Sequence, residues 1–232
     1  TEHLMGFDDM PEMMKKIRSH GATQNAVNRA AIHGEEEYPQ TLTFNDGIDF
    51  IRRNAEFDNW FVQIETFDPH EPFDSPKNFH DHYFDQDDPF QKDWPPYSKV
   101  SQEPEEVEKM RKKYFALLEF CDKSMGRVLD VMDELDLWKD TMLIVGTDHG
   151  FMLSEHNWWG KGSMPDYEEI VHTPFFVWDP RSGVKGTRSK QLVQTIDVAP
   201  TVLEFFGREI PPEMLGKPLG PVIRDGAPVR DY

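Results

Sequence analysis

The stretch that decides the fold is "TMLIVGTDHGFMLSEHNWWGKG", residues 141–162. Its first seven residues, 141–147, are a near-continuous apolar run, which reads as a buried strand. Asp148, His149, Glu155, His156 and Lys161 then crowd into the next fourteen residues. In open α/β sheets ligands bind outside the carboxyl ends of the strands, so ionisable groups placed there have a positional reason. A second stretch repeats the arrangement. "WFVQIET", 60–66, is apolar and rich in β-formers, and it runs straight into "FDPHEPF", 67–73, which carries Asp68 and His70. "PFFVW", 174–178, reads as a third strand.

Helical patterns lie between these strands. Pro104 suits a first helical turn, and Glu103, Glu105 and Glu106 favour the positive end of the dipole. From there Val107, Met110, Tyr114, Leu117, Cys121, Met125, Val128, Met132 and Leu135 recur at spacings of three and four, which predicts one helix over 104–136. Shorter helices are expected at 8–19, at 45–55 with Asn45 as its cap, and at 197–207 with Asp197 near its start and Gly207 as its stop. Residues 70–103 hold many Pro, Asp and aromatic residues and read as a long irregular segment. The tail after residue 207 is rich in Pro and Gly and reads as extended or loop. Helices alternating with apolar strands define an α/β fold, a sheet with helices on both faces.

Composition narrows the function. The chain has 232 residues and a net charge of −18, with 29% charged and 38% hydrophobic residues. That is a globular composition, with no basic face for nucleic acid and no attraction to an anionic membrane surface. No apolar run reaches membrane-spanning length. Cys121 is the single cysteine, so no disulfide forms within the chain. Its place on the apolar stripe reads as core rather than nucleophile. Cysteine usage favours a cytoplasmic location over a periplasmic or secreted one. The first residues have no signal-peptide architecture and no initiator Met, so the chain reads as a possible fragment. Oligomeric state has no signature in the residues.

Taken singly, the polar motifs have two readings each. Asp148 and His149 offer carboxylate oxygen and imidazole nitrogen, a set that suits a divalent ion, and Gly150 permits the turn that would bring them together. Alone, though, "DHG" equally describes a capping aspartate beside a surface histidine. Lys161, between two glycines, can approach an anion as a point charge or stand as a solvated loop lysine. His156 is a ligand, a supporting partner or a packed histidine beside Trp158 and Trp159. His70 lies between prolines that stiffen the backbone. The run "HDHYFDQDD", 80–88, reads as a solvated acidic loop.

The ordered set is more specific than its members. "PHEPF" at 69–73, "TDHG" at 147–150, "EHNWWGKG" at 155–162, "YEE" at 167–169 followed by "HTPFFVWDP", and "DVAPTVLEFFG" at 197–207 occur in this order. Together they resemble the sulfatase family of the alkaline-phosphatase superfamily, over roughly residues 40–207. The resemblance implies metal-dependent hydrolysis of sulfuric esters on a sulfated small molecule or carbohydrate. It implies Asp148 and His149 as the late pair of ligands to a divalent metal, Ca²⁺ first and Mn²⁺ as the alternative. It implies Lys161 as the sulfate contact, His70 as the group at the sulfate or the leaving alcohol, and His156 in a supporting role.

The chain also departs from the pattern. The family's nucleophile is a formylglycine made from the Cys or Ser of a C/S-x-P/A-x-R motif, and this sequence contains none. Asp8 and Asp9 follow no strand and do not match the family's early acidic pair. Residues 1–232 are therefore expected to be one incomplete sulfatase-like domain, the C-terminal portion, inactive alone. Two further readings stay open. One is a phosphate or phosphonate monoester hydrolase on the same scaffold, which His149 in place of the commoner Asn suggests. The other is a sulfatase-like module without catalysis. The aromatic residues of 70–103, Phe73, Phe79, Tyr83, Phe84, Trp94 and Tyr97, either line a sugar or aryl pocket or pack as a surface loop.

Overall fold

In the computed structural model, which describes residue 29, residues 31–85 and residues 87–231, the elements run in the following order. They are α1 (Pro39–Asn54), α2 (Lys77–His80), α3 (Pro104–Glu134), β1 (Leu143–Gly146), β2 (Met152–Leu153), β3 (Trp159–Gly160), α4 (Glu168–Val171), β4 (Phe175–Trp178), α5 (Val198–Phe205) and α6 (Gly220–Asp225). The helix expected at 8–19, with Asp8 and Asp9, lies outside the described residues.

The fold is organised along α3, which starts at Pro104 as the sequence predicts. Met110, Leu117, Val128 and Met132 of the expected stripe are buried, and so is a second row, Ala116, Phe120, Ser124 and Val131. The helix is covered on more than one stripe because two cores meet it. One gathers Phe73, Phe79, Phe120 and Trp159 around its first half. The other gathers Phe44, Ile48 and Ile51 of α1 around its second half. Cys121 belongs to this interface as expected. Its Sγ donates to Gln40 Oε1 at 3.2 Å, and burial pushes the thiol up to about 12. Gln40 Nε2 in turn donates to Ser124 Oγ at 3.0 Å.

Several boundaries move. Helix α1 begins at Pro39 rather than at residue 45, because proline fits the first turn and lacks only an N–H the helix does not use. Asn45 is therefore not a cap; its Oδ1 accepts from Arg127 on α3. The 60–66 segment is extended but half-buried. Trp60, Val62 and Ile64 pack on the second core, whereas Phe61 is 60% exposed. It has no ladder partner among the described residues. Strand β1 pairs antiparallel with β4, Leu143 opposite Trp178 and Gly146 opposite Phe175. A separate pair joins β2 and β3, Leu153 opposite Trp159. The tail is not wholly irregular, since α6 forms within it. Asp197 holds that tail. Its buried carboxylate accepts from the backbone of Gln194 and Lys217, both at 2.8 Å, and pairs with Arg230. Burial works to raise the acid, but Arg230 and these N–H groups hold it below the usual range.

Gly150 fixes how the loop after β1 leaves the sheet. Its N–H donates to Ile170 O at 2.8 Å, and a Cβ there would lie 1.8 Å from Glu169 O. The obstacle is backbone, so no side-chain rotation relieves it. Gly150→Ala is expected to cost about 3 kcal/mol or more of stability, at the upper end of overpacking effects. Urea unfolding at unchanged m-value measures it, and an unshifted midpoint would contradict the contact.

Candidate active site

The loop after β1 turns two donor atoms toward each other. Asp148 Oδ1 accepts from the His149 backbone N–H at 2.8 Å and from Thr147 Oγ1 at 3.3 Å. His149 Nδ1 lies 2.9 Å from Gly150 O. A carbonyl only accepts, so Nδ1 carries the proton and Nε2 holds the free lone pair of the neutral ring. That Nε2 is 3.5 Å from Asp148 Oδ2. Partial burial works to raise the Asp148 acid, but the His149 backbone N–H and the Thr147 hydroxyl hold it low. A carboxylate oxygen and an imidazole nitrogen thus converge with no proton required between them. This is the donor set of a divalent-ion site, with His149 oriented by its outer hydrogen bond. Among the described residues, no group of three or more His, Cys, Asp and Glu gathers as a ligand set. The pair fits a metal as two of its ligands.

The PHEP segment builds a second cluster. His70 N donates to Phe67 O at 3.1 Å, and its ring stacks on Phe67 with centroids 4.1 Å apart. His70 Nδ1 lies 2.6 Å from the Glu71 carbonyl, so Nδ1 again carries the proton and Nε2 is the free nitrogen. The Glu71 side chain is fully buried, with Oε2 3.3 Å from His70 Nδ1 and 3.9 Å from Lys161 Nζ. Lys161 also lies over the Phe151 ring, 5.8 Å from its centroid. Phe73 packs edge-on against both Phe151 and Tyr114 of α3, at 5.6 and 5.3 Å. His70 and Lys161, 91 residues apart in sequence, are therefore brought together. Lys161 sits over the residue that follows Asp148-His149-Gly150.

Glu71 is the residue that sequence reasoning missed. The segment drew attention for its histidine, and the only signal was a glutamate wedged between that histidine and a proline.

His156 belongs elsewhere. Ser154, His156 and Asn157 all adopt left-handed backbone angles, φ 84°, 50° and 65°. This turn aims the His156 Nε2 at Glu169 Oε1, 3.3 Å away, and stacks its ring on Tyr167 at 4.1 Å. It ties the loop to α4. Trp159 fixes the other end of the turn, fully packed and donating from Nε1 to Gln102 Oε1 at 3.0 Å. Gly160 then carries φ 90° directly over Tyr97, where a Cβ would lie 2.9 Å from the ring, and delivers Lys161.

Of the aromatic residues in 70–103, Phe73, Phe79 and Phe84 are core, while Trp94 and Tyr97 remain 50% and 38% exposed. Trp94, Lys92 and Glu106 border a hollow of about 310 Å³ floored by Trp159. The acidic run 80–88 is laced by ion pairs, Lys77–Asp81, His82–Glu119 and Lys109–Asp88.

A sheet-end site of this kind, carboxylate and imidazole on one loop with lysine and histidine beside it, marks a hydrolase scaffold of the alkaline-phosphatase superfamily. The chain belongs to the sulfatase family, whose model matches residues 2–208. It is 29% identical to an arylsulfatase of Clostridium perfringens, over 89% of this chain and 46% of that protein. It is 32% identical to an N-acetylglucosamine-6-O-sulfatase of Bacteroides thetaiotaomicron, over 48% of this chain and 20% of the relative. Among solved structures, the phosphonate monoester hydrolase of Silicibacter pomeroyi superposes with a TM-score of 0.71 at 24% identity, covering 86% of this chain and 44% of that one. The chain thus spans about half the length of such relatives, or less.

Asp68, two residues before His70, is half-buried, and desolvation and the nearby Asp74 charge push its acid up to about 6. A folded-state value above the unfolded one means the fold binds this proton more tightly. The resulting stability is present below the unfolded value, about pH 4, and is lost as pH rises through about 6. Asp68→Asn should therefore change little near pH 4 and raise stability near pH 7 by about 2 kcal/mol. Urea unfolding at the two pH values tests the sign.

Proposed function

We propose that this chain is the part of a sulfuric ester hydrolase that supplies two metal ligands and the groups that meet the sulfate and the leaving alcohol. The observation that carries the reading is the meeting of His70 and Lys161 over one buried carboxylate, beside the Phe151 ring that continues from Asp148-His149-Gly150. Lys161 binds a non-bridging sulfate oxygen as a point charge. The free Nε2 of His70, protonated, donates to the bridging oxygen as the bond to sulfur breaks, so that a neutral alcohol leaves. Asp148 and His149 would hold the divalent ion, Ca²⁺ first and Mn²⁺ as the alternative. When bound, that ion adds positive charge where the sulfate oxygens gather negative charge. His156 supports the loop through Glu169.

Sulfatases in general use a divalent metal and a formylglycine nucleophile, and no residue of this chain matches the nucleophile motif. The reading therefore includes that the 232-residue chain alone does not turn over. The substrate is a sulfated small molecule or carbohydrate. Support comes from the N-acetylglucosamine-6-O-sulfatase relative and from a protein solved in complex with its substrate D-glucosamine-2-N,6-O-disulfate. That protein is 28% identical over 54% of this chain, with a TM-score of 0.50. A second reading, hydrolysis of phosphonate or phosphate monoesters, is favoured by His149 and by the phosphonate monoester hydrolases that share the fold. Comparing kcat/KM for a nitrophenyl sulfate and a nitrophenyl phosphonate on the full-length protein decides between the two.

Two outcomes follow for that protein. The double variant Asp148→Ala, His149→Ala should lose its divalent metal by elemental analysis; full metal content would remove both residues from the metal site. His70→Ala and Lys161→Ala should each lower kcat/KM on an aryl sulfate by about a hundredfold or more, the scale of general-acid and oxyanion-stabilising groups. Unchanged values would place them outside the site.

A further inference from the structure

The Glu71 carboxylate is an anomaly. It is fully buried, and neither oxygen accepts a hydrogen bond. Leaving a buried charged group without hydrogen bonds costs stability, so a fold that keeps one has a use for the charge. The two side chains beside it, an ammonium and an imidazole that must carry a second proton to act as an acid, show what the use is. Lys161 Nζ stands 3.9 Å from Oε2 and His70 Nδ1 stands 3.3 Å from the same atom. Neither contact is a hydrogen bond, because the Nδ1 proton is committed to the Glu71 backbone carbonyl at 2.6 Å. The carboxylate therefore acts on both groups through charge alone.

Its placement makes that action directional. Glu71 lies behind the pair, out of solvent, so it cannot itself touch a substrate. The carbonyl of the same residue pins one face of the imidazole and leaves Nε2 pointing away. Lys161 is held from beneath by the Phe151 ring. One residue thus orients the histidine through its backbone and balances the charge of both the histidine and the lysine through its side chain. Two like charges that must face a single anion repel each other before the anion arrives, and a buried carboxylate between them removes that repulsion.

We propose that Glu71 is the positioning residue of this site, holding the His70 ring and the Lys161 ammonium together so that both face one sulfate ester. The inference rests on the roles given above to His70 and Lys161. Its test is therefore built to separate the two ideas. In the full-length protein, kcat/KM is measured for phenyl sulfate, a poor leaving group, and 4-nitrophenyl sulfate, a good one. The variants are Glu71→Gln, Glu71→Asp, His70→Ala, and Glu71→Gln combined with His70→Ala. Unfolding midpoints are taken for each.

Glu71→Gln keeps the volume and removes the charge. It should lower kcat/KM by about tenfold or more, with the larger loss on phenyl sulfate, because proton donation matters most for the poor leaving group. It should add little to His70→Ala, since both act on one step. Its unfolding midpoint should hold or rise. Glu71→Asp, which keeps the charge but leaves a small void, should retain more activity than Glu71→Gln despite a lower midpoint. Wild-type rates in Glu71→Gln beside impaired His70→Ala would overturn the role of Glu71 and leave the site standing. Equal losses on the two substrates, or a rate loss that follows a falling midpoint in both Glu71 variants, would make Glu71 a packing residue and overturn the proposal. Unimpaired His70→Ala would instead overturn the site reading beneath it.

Discussion

The site depends on how one ring is held, that of Phe151. It follows Gly150 directly, and the Gly150 backbone is pressed against Glu169 and Ile170 with no room for a side chain. Phe73 and Tyr97 meet the ring edge-on at 5.6 and 6.0 Å, and Lys161 lies over it. Through Phe73 the ring is joined to α3, and through Tyr97 to the stretch that seats Gly160. The metal-type pair and the anion-type pair are therefore positioned by adjacent residues on one short, clamped stretch. Loops that carry chemistry usually borrow their rigidity from the scaffold, and here the loan is aromatic packing plus one forbidden Cβ.

How much of this was legible in the sequence depends on the kind of signal. The long helix was plain because its apolar residues repeat over many turns, and Pro104 marked its start. Its second buried row was not, since Ala116 and Ser124 carry no hydrophobic signature and are buried only because α1 and the 70–84 segment cover them. Local chemistry allows Asn45 as a cap, but Pro39 starts the helix earlier, and Gln40, Thr41 and Phe44 of the added turns are buried. The 60–66 strand was read as buried on residue type, whereas the alternation of Trp60, Val62 and Ile64 against Phe61 shows one packed face. Asp148, His149, His70 and Lys161 were visible through motif order. Glu71 was invisible because what sets it apart, burial without a hydrogen bond, exists only after folding.

Electrostatics divides the molecule into two scales. At long range the net charge of −18 opposes an anionic ligand, although salt screens most of that field beyond about 8 Å at physiological ionic strength. At short range the balance reverses. Lys161 brings an ammonium beside the His70 ring, with the Glu71 carboxylate behind them out of solvent. Burial keeps Glu71 from touching a ligand, but its charge still acts on both groups. In the acidic run 80–88, Asp81 pairs with Lys77 and Asp88 with Lys109.

The state of Cys121 has a practical side. It is the single cysteine of the 232 residues, and burial drives its thiol to about 12, far above the range in which a thiolate forms in neutral solution. Thiol-directed alkylating reagents therefore meet no ready thiolate in this chain at neutral pH. A cysteine introduced at an exposed position such as Ser163, beside the Lys161 loop, would be a unique address for a fluorophore or spin label. Changes in the surroundings of Lys161 then become directly observable against an unlabelled background.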